Sequence, residues 1–181
     1  MQNKKSAFAI ALVAILAVVG TTARAGTPEE FVEQYMTSLQ TDGFTSIPNY
    51  IHPAELIRFK EMLMPLFRKE AAAGKKEITQ GLFGPDATLA SVEAMSPHDF
   101  MTGMFRQFGD ALDGIVFKDA ELLGSVREKD VVHVVSRVSV DGPKGLKLRQ
   151  MEVVSVMPDG DGWKLLLSGS LEGIAAALSA Q

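Results

Sequence analysis

The stretch Asp130-Val-Val-His-Val-Val-Ser-Arg-Val-Ser-Val-Asp-Gly-Pro-Lys-Gly145, continued by Leu146-Lys-Leu-Arg-Gln-Met-Glu-Val-Val-Ser-Val-Met157, decides the fold. A turn, Pro158-Asp-Gly-Asp-Gly162, leads on to Trp163-Lys-Leu-Leu-Leu-Ser168. Runs rich in β-branched residues, separated by clusters of Gly, Pro and Asp, are the pattern of an antiparallel meander. Side chains alternate along a strand. One face of the first run carries Val132, Val134, Ser136, Val138 and Val140; the other carries Val131, His133, Val135, Arg137 and Ser139. In the second run Leu146, Leu148, Gln150, Glu152, Val154 and Val156 share a face, opposite Lys147, Arg149, Met151, Val153 and Ser155.

Register follows from putting apolar faces together, since a one-residue slip sets the valines against Lys147 and Arg149. A turn over Asp141 to Gly145 pairs Val140 with Leu146, Ser136 with Gln150 and Val134 with Glu152. The inner face is then apolar with a polar patch, Ser136, Gln150 and Glu152, in its middle. A buried carboxylate needs hydrogen bonds, water or a ligand. The expectation is a pocket between sheet and helices for a small apolar or amphipathic ligand, with Tyr35 or His52 contributing from the helical side. On the opposite face Arg137 and Arg149 meet, a like-charge pair that calls for Glu121 or Asp119 beside it. With Val135 and Met151 next to them, this half-apolar, half-charged face suits either solvent or a second copy of the chain.

Upstream the periodicity is helical. Thr27-Pro28-Glu29-Glu30 is a start signal with a capping box, and Phe31, Val32, Tyr35, Met36 and Leu39 form one stripe. A helical turn is expected over Ser46 to Tyr50. A longer helix opens at His52-Pro53 and runs to Ala71-Ala-Ala-Gly74, with Pro65 expected to kink or break it. Gly81, Gly84 and Pro85 read as a loop before a short helix over Asp86 to Met95. Another helix starts at Ser96-Pro97, striped by Phe100, Met101, Met104, Phe105, Phe108 and Leu112, and Asp113-Gly114 stops it. Ile115 to Val126 reads as a strand with a break at Leu123-Gly124, and Leu171 to Leu178 as a closing helix. Helices followed by a meander define an α+β architecture, N-terminal helices packed on an antiparallel sheet.

Of 181 residues, the first 25 read as a signal peptide: Lys4 and Lys5, an apolar run over Ala7 to Val19, and the Ala23-Arg24-Ala25 cleavage site before Gly26. The protein is therefore expected in the bacterial periplasm or outside the cell, as one α+β domain over residues 26–181. Eighteen Lys and Arg, less Lys4, Lys5 and Arg24, leave 15 against 22 acidic residues, a net charge of −7. That balance disfavours nucleic acid and anionic lipid surfaces. No further apolar run is long enough to span a membrane, and without cysteine there is neither a disulfide nor a Cys-linked lipid.

Catalytic motifs are weak. His52, His98 and His133 do not stand at ligand spacing, so no metal or other cofactor is expected. Asp159-Gly160-Asp161-Gly162 lacks the Gly and Glu that a calcium loop needs further on. There is no nucleophile elbow and no P-loop. The reading leans towards a non-catalytic module. The alternatives are a lipid carrier and an isomerase or hydrolase that uses Glu152 as general base.

Phe31-Val-Glu-Gln-Tyr35, Tyr50-Ile-His-Pro53 and the terminal meander ending in Asp161-Gly-Trp-Lys164 resemble the nuclear transport factor 2-like superfamily, in its secreted bacterial members. The resemblance implies a cone-shaped α+β barrel, a curved sheet wrapped over helices with a pocket between them. That family contains isomerases, dehydratases and cyclases with Asp/His pairs, and also non-catalytic ligand-binding or dimerisation modules. The acid and base residues of the enzymes have no match here. A second resemblance is to the periplasmic phospholipid carriers of the toluene-tolerance family, which implies a lipid in the cavity.

Overall fold

The computed structural model describes residues 26–111, 115–167, 169 and 173. Helix α1, Pro28–Thr41, begins as its cap predicts: Thr27 Oγ1 accepts from the Glu30 amide and Glu30 reaches back to the Thr27 amide at 2.7 Å. Pro28, Val32, Met36 and Leu39 are its buried stripe, with Phe31 and Tyr35 partly buried beside it. A 3-10 helix over Phe44–Asn49 supplies the expected turn.

Helix α2, Pro53–Ala72, runs through Pro65 without ending. Proline removes one helical hydrogen bond at a cost of about 3 kcal/mol. Leu63, Met64, Leu66 and Phe67 on either side of it are buried, and burial of ~1.5–3 kcal/mol per large apolar side chain outweighs that loss. Gly74, at φ 70°, follows the C-terminus.

The Gly81 region is not a loop. Glu77–Phe83 forms helix α3, followed by α4, Leu89–Ala94, and α5, Pro97–Ala111. The N-terminus of α3 is capped from a distance. The buried Glu70 carboxylate of α2 accepts from the amides of Ile78 and Thr79 and from the Thr79 hydroxyl. Lys60 donates to the carbonyls of Glu93, at 2.8 Å, and Met95, at 2.6 Å, holding the end of α4. Phe67, Phe83 and Phe100 cluster where α2, α3 and α5 meet.

Strands β1 (Val116–Glu128), β2 (Val131–Asp141), β3 (Lys147–Asp159) and β4 (Gly162–Leu165) form a four-stranded antiparallel sheet in sequence order. The expected break at Leu123-Gly124 is a register shift between Leu122 and Gly124. The sheet is open: β1 and β4 are its two edges, so the expected closure into a barrel is corrected. The outer flank of β4 is met by Tyr50–His52, whose backbone pairs with Leu165 at 2.8 and 2.9 Å. The β2–β3 register is also corrected. A 3-10 turn at Pro143–Gly145 lengthens the loop, so Val140 pairs with Leu148 and not with Leu146. The displacement is two residues, an even number, and each strand keeps its faces.

Helix α1 lies on the inner side of β1 and β2. Ser125 donates to the Glu29 carboxylate, and Trp163 Nε1 donates to the Gly26 carbonyl at 3.3 Å. Val132, Val134, Val138, Val156 and Leu165 are buried in one core with the apolar stripes of α1, α2 and α5. The Asp113-Gly114 stop and the closing helix over Leu171 to Leu178 lie outside the described residues.

Candidate functional site

The register places Ser136 directly opposite Glu152, with Leu122 on its other flank and Gln150 opposite Val138. Ser136 is 0% exposed, and its Oγ has no hydrogen-bond partner among the described residues. The valines at 134 and 138 flank it on the same face, so the hydroxyl is set in apolar surroundings. Glu152 is half-buried and receives one hydrogen bond, from Gln150 Nε2 at 3.2 Å. Among the described residues no cation pairs with its carboxylate, whereas Glu121, Glu128 and Asp141 on the outer face each have an Arg, His or Lys beside them.

Tyr35 comes to this patch from α1. Burial pushes its phenol well above the ordinary value, and the Glu152 carboxylate nearby pushes it further in the same direction. The ring is therefore a neutral phenol at all physiological pH. It packs on Tyr50 with ring centroids 5.4 Å apart, and Tyr50 packs in turn on Phe31 at 5.8 Å. The structure thus brings together Ser136, Glu152 and Gln150, with Tyr35 on α1 electrostatically coupled to Glu152. His52 stands apart in role: its Nδ1 accepts from the Ala54 amide at 3.2 Å and caps α2. No hydrogen bond among the described residues joins it to the patch.

Along β3 the inner face becomes exposed towards the β2–β3 loop, where Leu148 is 48% and Leu146 51% accessible. The patch therefore passes from a fully buried hydroxyl, through a half-buried carboxylate, to open leucines.

On the outer face Arg137 does not meet Arg149. Its partner is Met151, and Arg149 lies opposite Ser139. Glu121 serves both arginines, at 2.8 Å to Arg137 and 3.6 Å to Arg149, as the sequence reading required of it. Val126 (64%), Met151 (66%) and Val153 (55%) are exposed around this cluster. The same face carries a constellation that the sequence reading did not find. His133 Nδ1 lies 2.8 Å from Ser155 Oγ and His133 Nε2 3.5 Å from the Glu128 carboxylate. Cross-strand pairing of His133 with Ser155 creates it. Serine, imidazole and carboxylate are in relay order, with the carboxylate largely open to solvent.

A further depression, an open groove of about 660 Å³, runs along the solvent side of α1 between Glu30, Glu33, Thr37, Thr41 and Tyr50. Its side chains largely bond within their own helix, Thr37 Oγ1 to the Glu33 carbonyl and Ser38 Oγ to Asp42. Among the described residues no cluster of three His, Asp or Glu is placed to hold a metal ion, and no helix is long and apolar enough to cross a membrane.

Fold and site define a class no narrower than this: an α+β domain whose helices cover one face of an open meander and whose covered face holds a polar patch. No protein-family model, curated protein or solved structure matches the chain.

Proposed function

We propose that this protein is a non-catalytic binding module of the bacterial periplasm or exterior, of the nuclear transport factor 2-like kind, which holds a small amphipathic ligand between α1 and the sheet. The observation that carries the proposal is the Ser136 hydroxyl, fully buried and unbonded. An unsatisfied buried hydroxyl costs about 1–3 kcal/mol, a cost that a bound polar group would remove. The half-buried Glu152 and the exposed leucines further along β3 give such a ligand a polar end and an apolar end.

The test is native mass spectrometry of protein expressed from the full 181-residue chain and recovered gently in whatever processed form the cell leaves. A retained small molecule supports the reading, and its mass gives the chemical class; a phospholipid would make the protein a lipid carrier. A mass beginning at Gly26 supports cleavage after Ala25 and export. Protein that is always empty, with partners recovered only by cross-linking in the periplasm, would replace ligand binding by protein interaction. Enzymatic use of Glu152 would show as turnover abolished by Glu152→Gln with thermal stability unchanged.

A second reading concerns the outer face. The exposed Val126, Met151 and Val153, with acids (Glu121, Glu128) and bases (Arg137, Arg149) on the same surface, suit a second copy related by a two-fold axis. Such a face carries both charge signs, with apolar side chains around them.

A further inference from the structure

We propose that the polar end of the ligand is a protonated primary amine, seated against Glu152 with Ser136 as a second contact. This rests on the ligand-binding reading above and adds the chemistry of the head group. The described surroundings of Glu152 are the first argument. Its carboxylate is half-buried on an apolar face, with one amide donor, Gln150 Nε2 at 3.2 Å, and no described cation. A carboxylate in that position is completed by a positive charge that also donates hydrogen bonds.

The second argument is the count of acceptors. An ammonium group has three N–H donors. Glu152 offers a carboxylate oxygen, Ser136 across the strand pair offers an unused Oγ, and Gln150, whose amide nitrogen is spent on Glu152, keeps its carbonyl oxygen. Three acceptors on one sheet face match three donors. An anionic head would bring like charge against Glu152. A neutral hydroxyl head would satisfy Ser136 and leave the carboxylate uncompensated. A divalent cation is a poorer fit, because one carboxylate is too little charge for six or more oxygen ligands.

The aromatic residues point the same way. Tyr35 on α1 is a neutral phenol, so it adds no second negative charge beside Glu152, and its ring lies tilted on Tyr50. The apolar remainder of the ligand would extend along β3 towards Leu148 and Leu146. Glu152 and Leu148 are four residues apart on one strand face, on the order of 13 Å at ~3.3 Å per residue. That span calls for an aliphatic chain on the amine.

The experiment is isothermal titration of the full-chain product at neutral pH with octylammonium, octan-1-ol and octanoate, on the native protein and on Glu152→Gln. The expected result is that octylammonium binds at least about tenfold more tightly than the other two. Glu152→Gln should erase that preference, keep weak octanol binding and melt near the native temperature. Ser136→Ala serves as the second variant, since it removes no protein hydrogen bond, and should weaken octylammonium several-fold. If octanol or octanoate binds as well as octylammonium, the head group is not an amine, although the ligand-binding reading stands. If none of the three binds, and the protein comes from the cell empty, both fail together.

Discussion

A serine hydroxyl on a valine face is unfavourable unless something bonds to it, and Ser136 has no partner among the described residues. In ligand-free protein Ser136→Ala therefore removes a cost and no contact. The expected change in unfolding free energy by urea titration is neutral to about +1 kcal/mol more stable. A loss beyond about 1.5 kcal/mol would mean that the hydroxyl is satisfied within the protein after all. Glu70 is the opposite case. It is as deeply set, yet its carboxylate accepts from two amides and a hydroxyl at the start of α3. Burial alone would raise its pKa, but those donors from Thr79 and Ile78 together hold it below the ordinary value. Glu29, bonded by Ser125, is also held low. The sign follows: a depressed folded pKa gives stability that is complete above the unfolded value, about 4.3, and is lost as pH falls through the folded one. Thermal melts should therefore hold steady down to about pH 5 and then fall, and Glu70→Gln should flatten that fall. At neutral pH the same variant should cost about 1–3 kcal/mol, because it leaves helical amides short of an acceptor. Glu70→Gln melting like the native protein at both pH 7 and pH 4 would sink this account.

At the scale of elements, two glycines in helices make a matched test. Gly81 in α3 has open space where a Cβ would stand, whereas at Gly103 in α5 a Cβ would meet the Phe83 ring at 2.9 and 3.0 Å. Gly81→Ala should raise stability by about 0.5–1 kcal/mol through helix propensity. Gly103→Ala should lower it by about 1–3 kcal/mol, because the ring it displaces belongs to the Phe67, Phe83 and Phe100 cluster. Urea titration of both reads the difference, and equal behaviour would mean that α3 and α5 do not approach as described. The same pair shows what was legible in the sequence. Thr27 to Glu30 is a local cap and read correctly, and the two faces of β2 and β3 followed from alternation alone. Helix α3 was read as loop, because its cap comes from Glu70 in the preceding helix and not from a residue beside it. Ser136 and Glu152 could be put on one face without knowing the loop. Their direct pairing could not, since it depends on the two residues that the Pro143–Gly145 turn adds. The same displacement hid the His133 and Ser155 pair, which the shorter loop would have set apart. Tyr35 and His52 could both be named as contributors from the helical side, but which of them is coupled to Glu152 depends on how α1 crosses the sheet.

For the whole molecule, the sheet decides what kind of surface is left over. Helix α1 and the core take the inner face, so the outer face of a four-stranded sheet has no cover among the described residues. Its charges are already arranged: Glu121 sits between Arg137 and Arg149, and Glu128 lies beside His133. What remains uncompensated is apolar, the exposed Val126 on β1 and Met151 and Val153 on β3. Two copies packed face to face would remove these groups from water at ~25 cal/mol per Å², and the Glu121–Arg137 pair beside Met151 would set orientation more than affinity. Sedimentation velocity at micromolar concentration should therefore show a dimer. The double substitution Met151→Lys and Val153→Lys should return it to monomer without lowering the melting temperature of the fold itself, because neither side chain reaches the core. Raising the salt should weaken the dimer only slightly, since most of the association is apolar. A native chain that sediments as monomer at tens of micromolar would leave this face to solvent, and the valines there would then be strand formers and nothing more.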